Sequence, residues 1–352
     1  MSATASGGGL DSVEAVARAL DEHDYLADEG LATVVFLALR MQRPLLLEGA
    51  AGVGKTEVAK ALAAITGGEL LRVQCYEGID RSQVLYEWDH ARQLLHLRTA
   101  EAAGRVVAEG AEAVESELYT ERFLLRRPLL QAIEATDGPP PVLLIDEIDR
   151  ADDEFEAFLL EILSDWSVTI PELGTRRAAV APIVILTSNR TRDVHDALKR
   201  RCLYHWVDHP DPERELAILQ RRVPGTPDAL ARQVAAATHE LRQIGLYKPP
   251  GVAEAIDWAG ALTALGRSEL DAATVDATLG AVVKYREDAE RVHRHGFAAL
   301  LGPEAPAAPA GPAALAGPEA PTASTAPAAP AAPGDGGVAG DPGGTGSPDG
   351  PS

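Results

Sequence analysis

Pro44-Leu45-Leu46-Leu47-Glu48-Gly49-Ala50-Ala51-Gly52-Val53-Gly54-Lys55-Thr56 runs from a short apolar segment into a glycine-rich turn. The stretch that follows, Lys55 to Ile65, carries apolar residues at helical spacing. Gly49 to Thr56 match the pattern G-x-x-x-x-G-K-[ST] in full. Glycines at these places let the backbone wrap around phosphate with successive N–H groups pointing inward. The helix that opens at Lys55 adds the positive end of its dipole. The expected ATP-binding set is therefore Gly49, Ala50, Ala51, Gly52, Val53, Gly54, Lys55 and Thr56. Lys55 is expected to reach the β- and γ-phosphates, and the Thr56 hydroxyl to meet Mg²⁺.

Two further strand ends belong with this loop. Val142-Leu143-Leu144-Ile145-Asp146-Glu147 is an apolar run closed by adjacent acids, the Walker B form. A strand exit places both carboxylates at the sheet edge where the phosphate loop lies. Asp146 is expected to hold Mg²⁺ together with Thr56, and Glu147 to orient or deprotonate the attacking water. Ile183-Val184-Ile185-Leu186 leads into Thr187-Ser188-Asn189, so the Asn189 amide is expected between the acid and the γ-phosphate. Lys55, Glu147 and Asn189 are thus the catalytic candidates on this chain's own surface.

Outward from these motifs, Val13 to Leu20 and Glu29 to Leu39 have helical spacing, and Leu70 to Cys75 is another short apolar run. Runs of this length, rich in Val, Ile and Leu, suit strands buried on both faces of a parallel sheet, so the fold class is α/β. After His209-Pro210-Asp211-Pro212 only helical patterns follow: Glu213 to Arg222, Asp228 to Gln243, Val252 to Leu265 and Ala272 to Arg291. From about Gly302 the chain is Pro, Ala, Gly and Ser with a few acids, too poor in apolar surface to offset chain entropy.

The chain has 352 residues and a formal charge of −21, which disfavours nucleic acid as a partner because phosphate binding needs clustered Lys and Arg. Cys75 and Cys202 belong to no metal-ligand pattern and read as reduced, buried thiols. Apolar stretches such as Thr33 to Leu39 fall short of the roughly 20 residues of a membrane-spanning helix. The first residues show no secretion signal, so a cytoplasmic location is expected.

With these motifs the chain resembles the AAA+ ATPases, and within them the MoxR family, from about Tyr25 to Arg291. The matching segments are Leu45-Leu46-Leu47-Glu48-Gly49, Asp146-Glu147-Ile148-Asp149-Arg150-Ala151, Thr187-Ser188-Asn189-Arg190 and Ala197 to Trp206. The wording is similar to the branch encoded beside carbon monoxide dehydrogenase and related molybdenum enzymes. The resemblance implies a P-loop core with a five-stranded parallel sheet between helices over residues 1–209. Within it fall a helix-2 insertion at about 76–123 and a hairpin before sensor 1 at about 167–181. A small helical lid over 210–301 and a disordered tail over 302–352 complete it.

The same resemblance implies a homo-oligomeric ring, usually a hexamer, with ATP at each subunit boundary. Arg201 is then the finger that reaches a neighbour's γ-phosphate, with Arg200 as the competing choice. It also implies a chaperone that remodels or matures a client metalloenzyme, such as a molybdenum hydroxylase, beside a partner with a von Willebrand factor A domain. One departure stands out. Where the family's sensor-2 arginine opens a lid helix, this chain reads Lys248-Pro249-Pro250-Gly251-Val252, leaving Lys248 or Arg267 as substitutes. That departure admits an assembly switch with little turnover as an alternative to a motor; a DNA-directed motor is disfavoured by the charge.

Overall fold

The structure is a computed structural model that describes residues 10–105, 108 and 110–301. The segment 302–352, expected to be a disordered tail, lies outside the described residues. In chain order the first elements are α1 (Val13–Glu22), α2 (Glu29–Met41), β1 (Leu45–Gly49), α3 (Lys55–Thr66) and β2 (Leu70–Gln74). Next come α4 (Arg81–Val84), β3 (Tyr86–Trp88), α5 (His90–Ala102), α6 (Ala111–Leu118), β4 (Leu124–Arg126), α7 (Pro128–Glu134) and β5 (Val142–Asp146). They are followed by α8 (Asp153–Asp165), β6 (Ser167–Ile170), β7 (Gly174–Arg177), β8 (Ile183–Ser188), α9 (Asp196–Arg201) and β9 (Leu203–Val207). The remainder is helical: α10 (Pro212–Arg222), α11 (Asp228–Gln243), α12 (Val252–Ala264), α13 (Ala272–Val282), α14 (Arg286–His295) and α15 (Ala298–Leu301).

The apolar runs form one five-stranded sheet in the order β2-β5-β8-β1-β9, with every neighbour parallel. Their period-2 geometry divides each run between two cores. Leu46, Leu143, Ile145 and Leu186 join the cluster that includes Leu130 and Phe155. Leu45, Leu47, Val142, Leu144 and Ile185 join the opposite cluster with Val35 and Leu62. A strand with two buried faces has no place for a polar side chain except at its ends, and there the chemistry-bearing residues stand. At about 1.5–3 kcal/mol per buried aliphatic side chain, this sheet holds the strand ends at a fixed edge.

The sequence pattern and the structure part company at three places. β9 does not read as an apolar run, because it is an edge strand in which Tyr204 and Trp206 face outward while Val207 is buried. The pattern from Ala91 to Ala113 is divided between α5 and α6. The pattern from Ala272 to Arg291 is likewise two helices: Val283 turns extended at φ −110° and ψ 128°, and the Lys284 ammonium caps the Gly280 and Ala281 carbonyls. This break lets Val283 and Val292 pack into one cluster around Trp258, whose indole N–H donates to Thr278 Oγ1 at 2.8 Å. In the region read as insertions, β3 pairs antiparallel with β4, and β6 with β7 as a hairpin.

A buried ion pair fixes the loop that precedes α12. Arg242 donates to both Glu215 oxygens at 2.8 and 2.6 Å, with the two side chains 6% and 0% exposed. Arg242 Nε also donates to the Pro250 carbonyl at 2.8 Å. Burial pushes the Glu215 carboxyl up from its ordinary value, against the pull of the Arg242 guanidinium. Arg242→Met is expected to cost about 3–5 kcal/mol by leaving Glu215 buried and uncompensated, with Glu215→Leu in the same chain restoring most of the loss. Urea unfolding of the single and double variants checks this.

Candidate nucleotide site

The loop between β1 and α3 owes its path to glycine. Gly52 and Gly54 take φ of 78° and 94°, a region open to glycine at little cost. At Gly49 a Cβ would lie 2.3 Å from the Val207 carbonyl oxygen, so the β1–β9 pairing itself requires glycine there. Lys55 opens α3 and is only 6% exposed. Its ammonium donates to Gly49 O at 2.9 Å, Ala50 O at 2.7 Å and Asn189 Oδ1 at 2.9 Å. Burial lowers its pKa, while the carboxylates of Asp149, Asp146, Glu147 and Glu48 act in the opposite direction.

The acids sit two strands away, at the end of β5 beyond β8. Asp146 Oδ1 accepts from Thr56 Oγ1 at 3.1 Å and from Thr187 Oγ1 at 2.5 Å. Thr187 Oγ1 also accepts the Glu147 backbone N–H at 2.9 Å. Glu147 stands in the left-handed region at φ 56° and ψ 50°, a conformation that costs a non-glycine residue roughly 1–3 kcal/mol. Its carboxylate accepts from Asn189 Nδ2 at 3.3 Å, Gln74 Nε2 at 3.1 Å and Arg150 Nη1 at 2.9 Å. Asn189 therefore lies between Lys55 and Glu147 and touches both. Its turn is held from below by buried Asp149, which accepts from Asn189 N at 3.2 Å, Thr191 N at 2.8 Å and Thr191 Oγ1 at 2.7 Å.

Lys55, Thr56, Asp146, Glu147 and Asn189 thus line one cleft of about 730 Å³, together with Ala51, Gly52, Val53 and Gly54. Its far end is closed by Tyr25 and Leu26, and by Ile218 and Ile256 from the helices after β9. Arg201 and Arg200 are exposed and do not line it, and neither Lys248 nor Arg267 reaches it. Sequence reasoning passed over Arg72, whose Nη2 donates to Asp146 Oδ2 at 2.5 Å. It also gave Thr187 and Asp149 no role. For Thr187 the available signal is a polar side chain at the end of an otherwise buried strand, whereas Arg72 is an exposed side chain in the middle of β2.

The oxygen atoms of Thr56 and Asp146 suit Mg²⁺, which keeps several waters and shares its shell between one or two protein oxygens and phosphate. Among the described residues no group of three or more His, Cys, Asp and Glu side chains could hold a metal by itself.

Residues 44–202 match the family described as "AAA domain (dynein-related subfamily)". This part of the chain is similar to an AAA domain. The matched residues run from just before β1 to just after α9, and so include Lys55, Thr56, Asp146, Glu147 and Asn189. Over 48 residues the chain is 50% identical to midasin of Giardia intestinalis, covering 14% of this chain and 1% of that protein. Among solved structures, the RuvB Holliday junction branch migration motor of Thermotoga maritima is similar at 16% identity and a TM-score of 0.39. That likeness covers 71% of this chain and 66% of RuvB. A mutant form of the same RuvB gives 17% identity and a TM-score of 0.43 over 80% of this chain and 74% of that one. No helix among the described residues is long and apolar enough to cross a membrane.

Asp149→Ala removes the acceptor shared by Asn189 and Thr191. The expected loss is about 2–3 kcal/mol of stability, with faster amide hydrogen exchange at both residues than in the parent chain. Exchange measured by NMR, set beside a denaturant titration, checks the pair of effects.

Proposed function

We propose that this chain is a ring-forming, Mg²⁺-dependent ATPase of MoxR type that remodels a partner protein. The observation that carries the reading is that the Asn189 amide bonds both the Lys55 ammonium and the Glu147 carboxylate above the phosphate loop. Lys55 would exchange its carbonyl partners for the β- and γ-phosphates of ATP. Thr56 and Asp146 would hold Mg²⁺, which supplies charge neutralisation at the phosphates when bound. Glu147 takes a proton from water as the water oxygen bonds to the γ-phosphorus. The bond from that phosphorus to the β,γ-bridging oxygen breaks, leaving ADP and phosphate. Asn189, tied to Glu147, keeps the carboxylate aimed at that water.

Arg201 is exposed at the end of α9 and, like Arg200, does not line this chain's own cleft. In the proposed ring it serves the cleft of the next copy, and we take residues 1–209 and 210–301 as the core and lid that such a copy brings. A von Willebrand factor A partner and a client metalloenzyme, of which a molybdenum hydroxylase is one example, complete the reading. The cytoplasm is its proposed place. A second reading, a nucleotide-dependent assembly switch with little turnover, is favoured by one observation: neither Lys248 nor Arg267 lines the cleft.

Steady-state phosphate release decides between them. Glu147→Gln is expected to lower the rate by about 10²–10⁴ while leaving ATP binding in place, and Lys55→Ala to abolish binding. Equal, near-zero rates for the parent chain and Glu147→Gln would favour the switch. The ring is tested by mixing. Arg201→Ala and Lys55→Ala are each expected to be inactive alone, and to recover part of the activity together, because some boundaries then pair an intact loop with an intact arginine. No recovery on mixing contradicts a site completed across the boundary.

A further inference from the structure

We propose that the first turn of α12 clamps the phosphate loop through the backbone, which makes Gly251 a positioning residue for nucleotide binding. The proposal rests on the reading of the cleft as a nucleotide site, and it takes up the place where a sensor-2 arginine was expected.

The Gly52 carbonyl, in the middle of the loop, accepts from Val252 N at 3.0 Å and Ala253 N at 3.3 Å. Both donors belong to the opening turn of α12, whose N–H groups have no partner within the helix. Among the described residues these bonds join the helical segment directly to the loop itself. Their shortness depends on Gly251. A Cβ there would lie 2.8 Å from Ala51 O and 2.9 Å from the Gly52 Cα, both backbone atoms that cannot swing aside. Its φ of −82° and ψ of −176° are extended, so the constraint is close approach and not backbone strain. Glu254 braces the same point, since its Oε2 accepts the Gly251 N–H at 3.0 Å.

The peptide plane fixed in this way carries the Val53 N–H as well as the Gly52 carbonyl. In a trans peptide the two point in opposite directions, so anchoring the oxygen to α12 also sets the direction of a donor expected to face phosphate. α12 is itself held in place, through the Arg242 bond to Pro250 O and the ion pair of Arg242 with Glu215. Lys248, by contrast, is anchored by its backbone, its N–H donating to Asp288 at 3.0 Å. The route from helix to phosphate is backbone to backbone, and no side-chain cation is needed for it.

Three variants test this by two readouts: affinity for a fluorescent ADP analogue, and amide hydrogen exchange at Val53 and Ala253. Gly251→Ala pushes the two backbones apart. Val252→Pro deletes one donor at the first helical position, where proline is tolerated and the extended Gly251 before it is compatible. Gly260→Ala changes the same residue type in the same helix, where a Cβ meets nothing within 4 Å. Gly251→Ala and Val252→Pro are expected to weaken ADP binding by about tenfold or more and to speed exchange at Val53 and Ala253, with Gly260→Ala at parent values in both. Should Gly251→Ala fail to fold, Val252→Pro decides alone. ADP affinity within twofold of the parent, despite faster exchange at Ala253, overturns the proposal. A parent chain that does not bind the ADP analogue overturns the site reading and this proposal with it.

Discussion

A buried ammonium has to be surrounded by oxygen, and the geometry around Lys55 follows from that requirement. Only 6% of the residue is exposed, and its partners are the carbonyls that end β1 together with the amide beyond the end of β8. These acceptors converge only if β1 and β8 run parallel and stop at one edge, which their pairing from Leu45↔Ile185 to Glu48↔Ser188 enforces. β5, on the other side of β8, then brings Asp146 and Glu147 to the same edge. The double-sided apolar sheet is thus the device that holds a cation, two acids and an amide within hydrogen-bonding reach of one another. The carbonyls around Lys55 stand where phosphate oxygens are expected to take over.

The helical segment after β9 connects to this edge by a short chain of contacts. Glu215 orients Arg242, Arg242 holds Pro250 O, and the turn that follows delivers Gly251 against the loop. Each link is buried or close-packed, so a movement of α12 reaches Gly52 without an intervening flexible side chain. The same cleft draws Ile218 and Ile256 from this segment, opposite Tyr25 and Leu26. A ligand seated there touches both parts of the molecule.

Much of this is legible in the amino-acid sequence. The loop from Gly49 to Thr56 and the acids at Asp146 and Glu147 stand at the ends of uniformly apolar runs, a pattern that specifies strand, direction and edge together. Asn189 was legible for the same reason. β9 was not, because an edge strand with Tyr204 and Trp206 facing outward has no continuous apolar run. Arg72 was hidden by its exposure: half of its side chain faces solvent, and only the neighbouring β5 register shows that it meets Asp146. The contact of Gly251 with Gly52 spans two distant parts of the sequence and has no local signature. Arg201 carries its proposed meaning only beside a second copy.

The cradle around Lys55 is proposed as a preformed phosphate site. A crystal structure with Mg²⁺ and a non-hydrolysable ATP analogue tests it most directly. The analogue's β- and γ-phosphates are expected inside the loop, with the Lys55 ammonium leaving Gly49 O and Ala50 O for them and Arg72 leaving Asp146 as Mg²⁺ arrives. An analogue bound elsewhere, with Lys55 still on both carbonyls, would contradict it.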